Sequence, residues 1–219
     1  MGLSLAGARV VVSAGPTYED LDPVRFIGNR SSGKMGFAIA AAAARRGADT
    51  VLVAGPVHLP TPPGVHRIDV RSAREMHAAV LEALPADVYV GAAAVADFTP
   101  ASVSDRKIKK SPGEDGLVLR LVRTRDVLAD VARDPRRPKL VVGFAAETDN
   151  VADHARGKLE SKRIDLIAAN RVGVAGSGFE SDDNALTVHW RDGERALGPA
   201  PKTALADALL DLIEERLQA

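Results

Sequence analysis

Short apolar runs that stop at glycine or proline alternate with longer stretches of helical spacing along most of the chain. Val10-Val11-Val12 ends at Ser13-Ala14-Gly15-Pro16, which reads as a buried strand closed by a turn. After a long loop, Ser32-Gly33 opens an alanine-rich helix that stops at Arg45-Arg46-Gly47, with cations in its last turn. Val51-Leu52-Val53, His66 to Val70, Val88-Tyr89-Val90, Leu140 to Phe144 and Leu166-Ile167 continue the strands. Helices fit between them: one capped by Ser72 and carrying Met76, Val80 and Leu84, then Val127 to Arg133 and Val151 to Arg163. Strands that alternate with helices need crossover connections. The expected fold is therefore α/β, a Rossmann-like, mostly parallel sheet with helices on both faces.

The tail breaks this rhythm. Ala185 to Trp190 alternates like one antiparallel strand, and Thr203 to Leu217 forms a closing amphipathic helix. Residues 1–7 read as a lead-in. Residues 99–116, rich in Ser, Pro, Gly, Lys and Asp, read as a mobile flap within a single domain spanning 1–219.

Composition narrows the chemistry. The 219 residues carry 29 Lys+Arg and 29 Asp+Glu, so no overall charge attracts nucleic acid or an anionic membrane. There is no cysteine, which removes disulfides, thiolate metal sites and a cysteine nucleophile. The five histidines lie at 58, 66, 77, 154 and 189, without metal-ligand spacing or a serine–histidine–acid arrangement. No metal ligands are expected from the protein. The N-terminus does not read as a signal peptide and no apolar run is long enough to span a bilayer, so a cytoplasmic location is expected.

In such sheets, ligands bind beyond the carboxyl ends of the strands, where the strand order reverses. That directs attention to Ala14–Gly36, Ala92–Lys110, Phe144–Asn150 and Asn170. Gly28 to Lys34 has the spacing of a P-loop, but Met35 stands where magnesium requires Ser or Thr, and the motif lies well past its strand. Ser31, Ser32 and Gly33 still sit at a helix start. There they suit either a bound phosphate or ordinary capping and packing. A dinucleotide fingerprint fails twice: the first turn lacks its glycine pattern, and the strand ending at Val53-Ala54-Gly55-Pro56 lacks an acid. Lys107-Ile108-Lys109-Lys110 is either a solvated loop or a flap for phosphates, and Lys158 and Lys162 share one helix face.

Seven blocks occur in order: Ser13–Thr17, Asp22–Ile27, Asn29–Gly36, Ala92–Asp97, Lys107–Lys110, Val142–Thr148 and Asp165–Asn170. Together they resemble the synthetase half of the bacterial bifunctional phosphopantothenoylcysteine decarboxylase/synthetase family. The resemblance runs from about Arg9 to the C-terminus. It implies a ligase of coenzyme A synthesis that joins 4′-phosphopantothenate to L-cysteine with CTP. An acyl-cytidylate forms, and pyrophosphate and CMP are released, with Mg2+ as cofactor.

By motif, the resemblance implies that Gly91, Ala92, Ala93 and Asp97 contact the nucleotide. Lys107 is the main triphosphate lysine, and Phe144, Lys158 and Lys162 are further contacts. The segment Arg125, Asp126, Val127 and Leu128 is another, although the family often has Pro at the position of Arg125. Asn29 handles the acyl-cytidylate during attack by cysteine, and Arg25 matches a residue needed for activity. The family also implies a homodimer. Its flavin-dependent decarboxylase domain has no counterpart here, so no FMN is expected on this chain. That domain belongs to the full-length protein if the chain is a piece of one. An NAD(P) oxidoreductase and a non-catalytic nucleotide-binding module are the rivals. The Asn29 loop and the Lys107 flap count against the second.

Overall fold

A computed structural model describes residues 5–109, 116–147, 151–171 and 182–218. Residues 1–4, Lys110 and the rest of the flap to 115, and residues 148–150 lie outside the described residues. The strands are β1 (Arg9–Ala14), β2 (Tyr18–Asp20), β3 (Phe26–Gly28), β4 (Asp49–Ala54), β5 (Val65–Asp69), β6 (Val88–Gly91), β7 (Phe98–Pro100), β8 (Leu121–Arg123), β9 (Leu140–Glu147), β10 (Leu166–Arg171), β11 (Asp183–Trp190) and β12 (Gly193–Pro201). The helices are α1 (Lys34–Arg45), α2 (Ala73–Glu82), α3 (Val127–Arg133), α4 (Val151–Lys162) and α5 (Lys202–Gln218).

Eight strands form one sheet in the order β12-β11-β10-β9-β6-β1-β4-β5. From β10 to β5 every pairing is parallel. These six strands take the doubly wound order, which reverses between β1 and β6. Alternate residues of β1 serve opposite faces. Val10, Val12 and Ala14 join the core under α1 and α5, whereas Val11 joins the core under α2, α3 and α4.

Helix α1 lies unusually close to β1. A Cβ on Gly36 would stand 2.5 Å from the Ala14 methyl group, so only glycine lets the two backbones approach. The helix starts at Gly33, whose φ of 74° is left-handed and which offers no capping side chain. The expected serine cap is therefore absent, and Ser31 Oγ instead accepts from the Gly33 amide at 3.3 Å. Ser72, by contrast, forms a full capping box with Glu75 on α2.

Four sequence expectations need correction. The tail carries two antiparallel strands rather than one, because β12 follows β11 as a hairpin at the sheet edge. Gly193, Gly198, Pro199 and Pro201 hid it, and proline is tolerated there only because an edge strand has a free side. The long loop after β1 contains the β2–β3 ribbon, and the flap region is framed by a β7–β8 ribbon. The lead-in is not inert. Leu5 is fully buried in the α1–α5 core, and its amide donates to Glu214 Oε1 at 3.2 Å.

Candidate functional site

The strand ends at the reversal point enter an irregular segment, Ala92 to Asp97, that backbone bonds hold in place. The Ala92 amide donates to Ser13 O at 3.0 Å and the Ala94 amide to Gly15 O at 2.8 Å. Thr17 Oγ1 accepts from the Ala96 amide at 2.9 Å. Thr124 Oγ1 donates to Ala96 O at 2.6 Å. The segment is a wall with a cleft on each side.

The first cleft, about 440 Å³, lies beside the start of α1. Asn29, Ser31, Ser32, Gly33, Ala92 and Lys158 line it. The second, about 510 Å³, lies beside the start of α3 and is lined by Gly91, Arg125, Asp126, Val127, Leu128 and Lys162. Ala93, Val95, Asp97 and Phe144 belong to both. Both volumes suit small-molecule ligands. Lys158 and Lys162 share a helix face yet serve different clefts, because the common wall stands between them.

Local packing explains the second cleft. Leu128 fits over two facing glycines, Gly91 on β6 and Gly143 on β9. A Cβ there would come within 3.2 Å and 2.7 Å of its methyl groups. This brings the start of α3 down onto the sheet. Asp126 caps α3 by accepting from the Ala129 amide at 3.0 Å. It also pairs with Lys162 at 2.9 Å. Burial pushes the Asp126 carboxyl up, but the Ala129 amide and Lys162 outweigh it and its pKa is lowered. Two residues read separately in the sequence are thus one ion pair.

In the first cleft, the Asn29 side-chain nitrogen donates to Val95 O at 3.0 Å and to Ala94 O at 3.3 Å. The carboxamide is thereby oriented against the wall, and its oxygen accepts no hydrogen bond among the described residues. The first turn of α1, without a side-chain cap, opens onto the same cleft, where the helix N-terminus favours an anion.

Arg25 and Lys107 enter neither cleft. Lys107 is exposed, and Arg25 is tied to Asp22 and Ile108 below it. Several lining residues were missed by motif reading: Ser13 and Tyr89 in the second cleft, and Asn184 and Lys202 in the first. Ser13 and Tyr89 share a buried hydrogen bond of 2.9 Å, and burial pushes the tyrosine pKa up. Lys202 is buried, and its pKa is lowered by desolvation and then by Lys34. Ser13 opens the first of the ordered blocks, whereas nothing local marks Tyr89, Asn184 or Lys202, which reach the clefts only through the fold.

Among the described residues, no three His, Cys, Asp or Glu side chains converge as a metal site. The described residues by themselves therefore supply no cage for a divalent cation. Among the described residues, no helix is long and apolar enough to cross a membrane.

Comparison with known proteins agrees with this geometry. The family model described as "DNA/pantothenate metabolism flavoprotein C-terminal domain" matches residues 5–217. The chain is 53% identical, over 97% of its length, to the coenzyme A biosynthesis bifunctional protein CoaBC of Vibrio cholerae, and covers 54% of that protein. It is 51% identical to the CoaBC protein of Escherichia coli, over 94% of the chain and 52% of the relative. The chain thus spans about half the length of the curated relatives it matches. A crystal structure of the C-terminal domain of a CoaBC protein superposes with a TM-score of 0.82 at 36% identity, covering 98% of both chains. With its fold and nearly its whole length matched, the chain belongs to the DNA/pantothenate metabolism flavoprotein C-terminal domain family.

Proposed function

We propose that this chain is a CTP-dependent phosphopantothenate–cysteine ligase domain, acting as one unit over residues 1–219. The observation that carries the reading is the pair of clefts meeting at Ala93, Asp97 and Phe144. Two ligands seated there touch across one wall, as an acyl transfer through a mixed anhydride requires. The second cleft takes the cytidine, with backbone groups from Gly91 to Ala93 against the base and Asp97 accepting from a ribose hydroxyl. The first takes 4′-phosphopantothenate, with an anionic end on the α1 start.

A carboxylate oxygen of the pantothenate attacks the α-phosphorus of CTP, and pyrophosphate leaves. The amine of L-cysteine then attacks the acyl carbon, loses a proton, and CMP departs. No protein nucleophile is needed. Lys107, Lys158 and Lys162 neutralise phosphoryl charge, and Mg2+ bound to the triphosphate supplies further neutralisation. Asn29, held through its nitrogen, keeps its oxygen available to accept from the incoming amine.

A homodimer also fits. Among the described residues, the exposed large hydrophobic side chains fall within residues 24–26, 98–103 and 117–122, on or next to the two small ribbons. The rest of the long relatives would supply the flavin decarboxylase activity.

The test is pyrophosphate release by the purified chain with 4′-phosphopantothenate and magnesium, comparing CTP with ATP and adding or omitting cysteine. The reading expects CTP-dependent release, with CMP and amide appearing once cysteine is present. Release with ATP alone would overturn the nucleotide assignment, and none with either would overturn the ligase.

A further inference from the structure

Asp22 lies at the base of the flap, outside both clefts, and its carboxylate is fully buried. Its Oδ1 accepts from the amides of Val24 at 2.8 Å and Arg25 at 2.9 Å, closing the loop between β2 and β3 on itself. Its Oδ2 accepts from Arg25 Nε at 3.1 Å and from Arg25 Nη2. The same Oδ2 accepts from the amide of Ile108 at 3.0 Å. Arg25 Nη2 in turn donates to the carbonyl of Ile108 at 2.7 Å. Both backbone polar groups of Ile108, the residue after Lys107, are therefore gripped by one ion pair. A second tie, Ser104 N to Leu21 O at 3.0 Å, holds the same stretch four residues earlier.

Free lysine loops have no reason to place both peptide groups of one residue on a buried carboxylate and its guanidinium. A buried carboxylate is tolerated only when its lone pairs are taken, and here half of its capacity goes to local loop closure and the rest to Arg25 and Ile108. Holding the backbone next to Lys107 removes the main-chain freedom that its amine would otherwise lose on meeting a phosphate.

We propose that Asp22, through Arg25 and the backbone of Ile108, is a positioning residue that presets Lys107 for the triphosphate. This rests on the role given to Lys107 above. It assigns Arg25 an action through the flap rather than through a cleft, because its guanidinium is already committed to Asp22 and Ile108.

The test pairs Asp22→Asn with Lys107→Gln in the intact chain. The first readout is amide exchange at Ile108 and tryptic cleavage after Lys107, without nucleotide. In the wild type the Ile108 amide should exchange at least tenfold more slowly than the neighbouring Lys109 amide. This comparison does not depend on any variant folding. Asp22→Asn should erase that protection and speed cleavage about tenfold, while Lys107→Gln should leave Ile108 exchange unchanged. The second readout is steady-state pyrophosphate release. Asp22→Asn should raise the KM for CTP about tenfold with a smaller fall in kcat, and Asp22→Glu should recover part of it. An unprotected Ile108 amide in the wild type, or full activity in Asp22→Asn with the clasp open, would overturn the inference while leaving the role of Lys107 intact. Full activity in Lys107→Gln would overturn both.

Discussion

The eight-stranded sheet and the two small ribbons solve opposite problems. The sheet buries its apolar residues on both faces, so Val10, Val11 and Val12 are all inaccessible. The ribbons β2–β3 and β7–β8 leave theirs in solvent, and Val118, just before β8, is 96% exposed. Two-stranded ribbons have no second layer to cover them and are marginal alone. The sheet supplies the walls of both clefts, while the ribbons and their loops supply Arg25 and Lys107. The cleft walls thus come from the packed sheet, whereas Arg25 and Lys107 sit on ribbon loops outside both clefts.

That contrast can be broken most directly at Lys107. Lys107→Gln should lower pyrophosphate release by about a hundredfold or more, the scale of losing one preorganised charge. Its melting temperature should stay within a degree or two of wild type, because the side chain is exposed. A large fall in melting temperature would mean that the flap belongs to the folded core.

Association comes next. If the proposed homodimer forms through the ribbons, Phe98→Asp, which places a charge on their exposed face, should shift it to monomer in sedimentation velocity at micromolar protein. An unchanged sedimentation coefficient would place the interface elsewhere.

A substitution in the sheet should show the reverse pattern. Gly36→Ala puts a methyl group 2.5 Å from that of Ala14 and should cost about 1–3 kcal/mol in urea unfolding. Some loss of activity follows, because α1 shifts at the first cleft. Stability equal to wild type would show that α1 can move away freely.

The smallest effect concerns the Asp126–Lys162 pair. The Asp126 pKa is lowered from 3.8, so its contribution is present above that value and is lost as pH falls through the folded one. Both partners are partly exposed, at 45% and 29%, so the pair should contribute about 0.5 kcal/mol. Lys162→Gln should flatten the acid side of the stability curve by about that amount while raising the KM for CTP more noticeably. An unaltered acid limb would show that the Ala129 amide alone holds the carboxylate.

Much of the scaffold was legible from local pattern. The strands β1, β4, β6 and β9 announce themselves through β-branched runs, and α1 and α2 through spacing and glycine or serine boundaries. Their parallel arrangement follows from connection length. The ribbons were not legible, because Phe26-Ile27-Gly28 and Leu121-Val122-Arg123 are three-residue strands with no periodicity to detect. In the site, ordered blocks marked Asn29, Asp97 and Phe144, and one block held both Asp22 and Arg25, but they said nothing of what that pair grips.

By itself, the sequence determined the fold class, the place of the clefts at the strand ends and the kind of charge around them. Those depend on residue type and on spacing within one segment. Only the tertiary structure decided which residues meet: Leu128 over Gly91 and Gly143, Asp126 with Lys162, and Asp22 with Ile108. Such contacts join segments far apart in the chain, and their geometry is set by how closely helices and loops can approach the sheet.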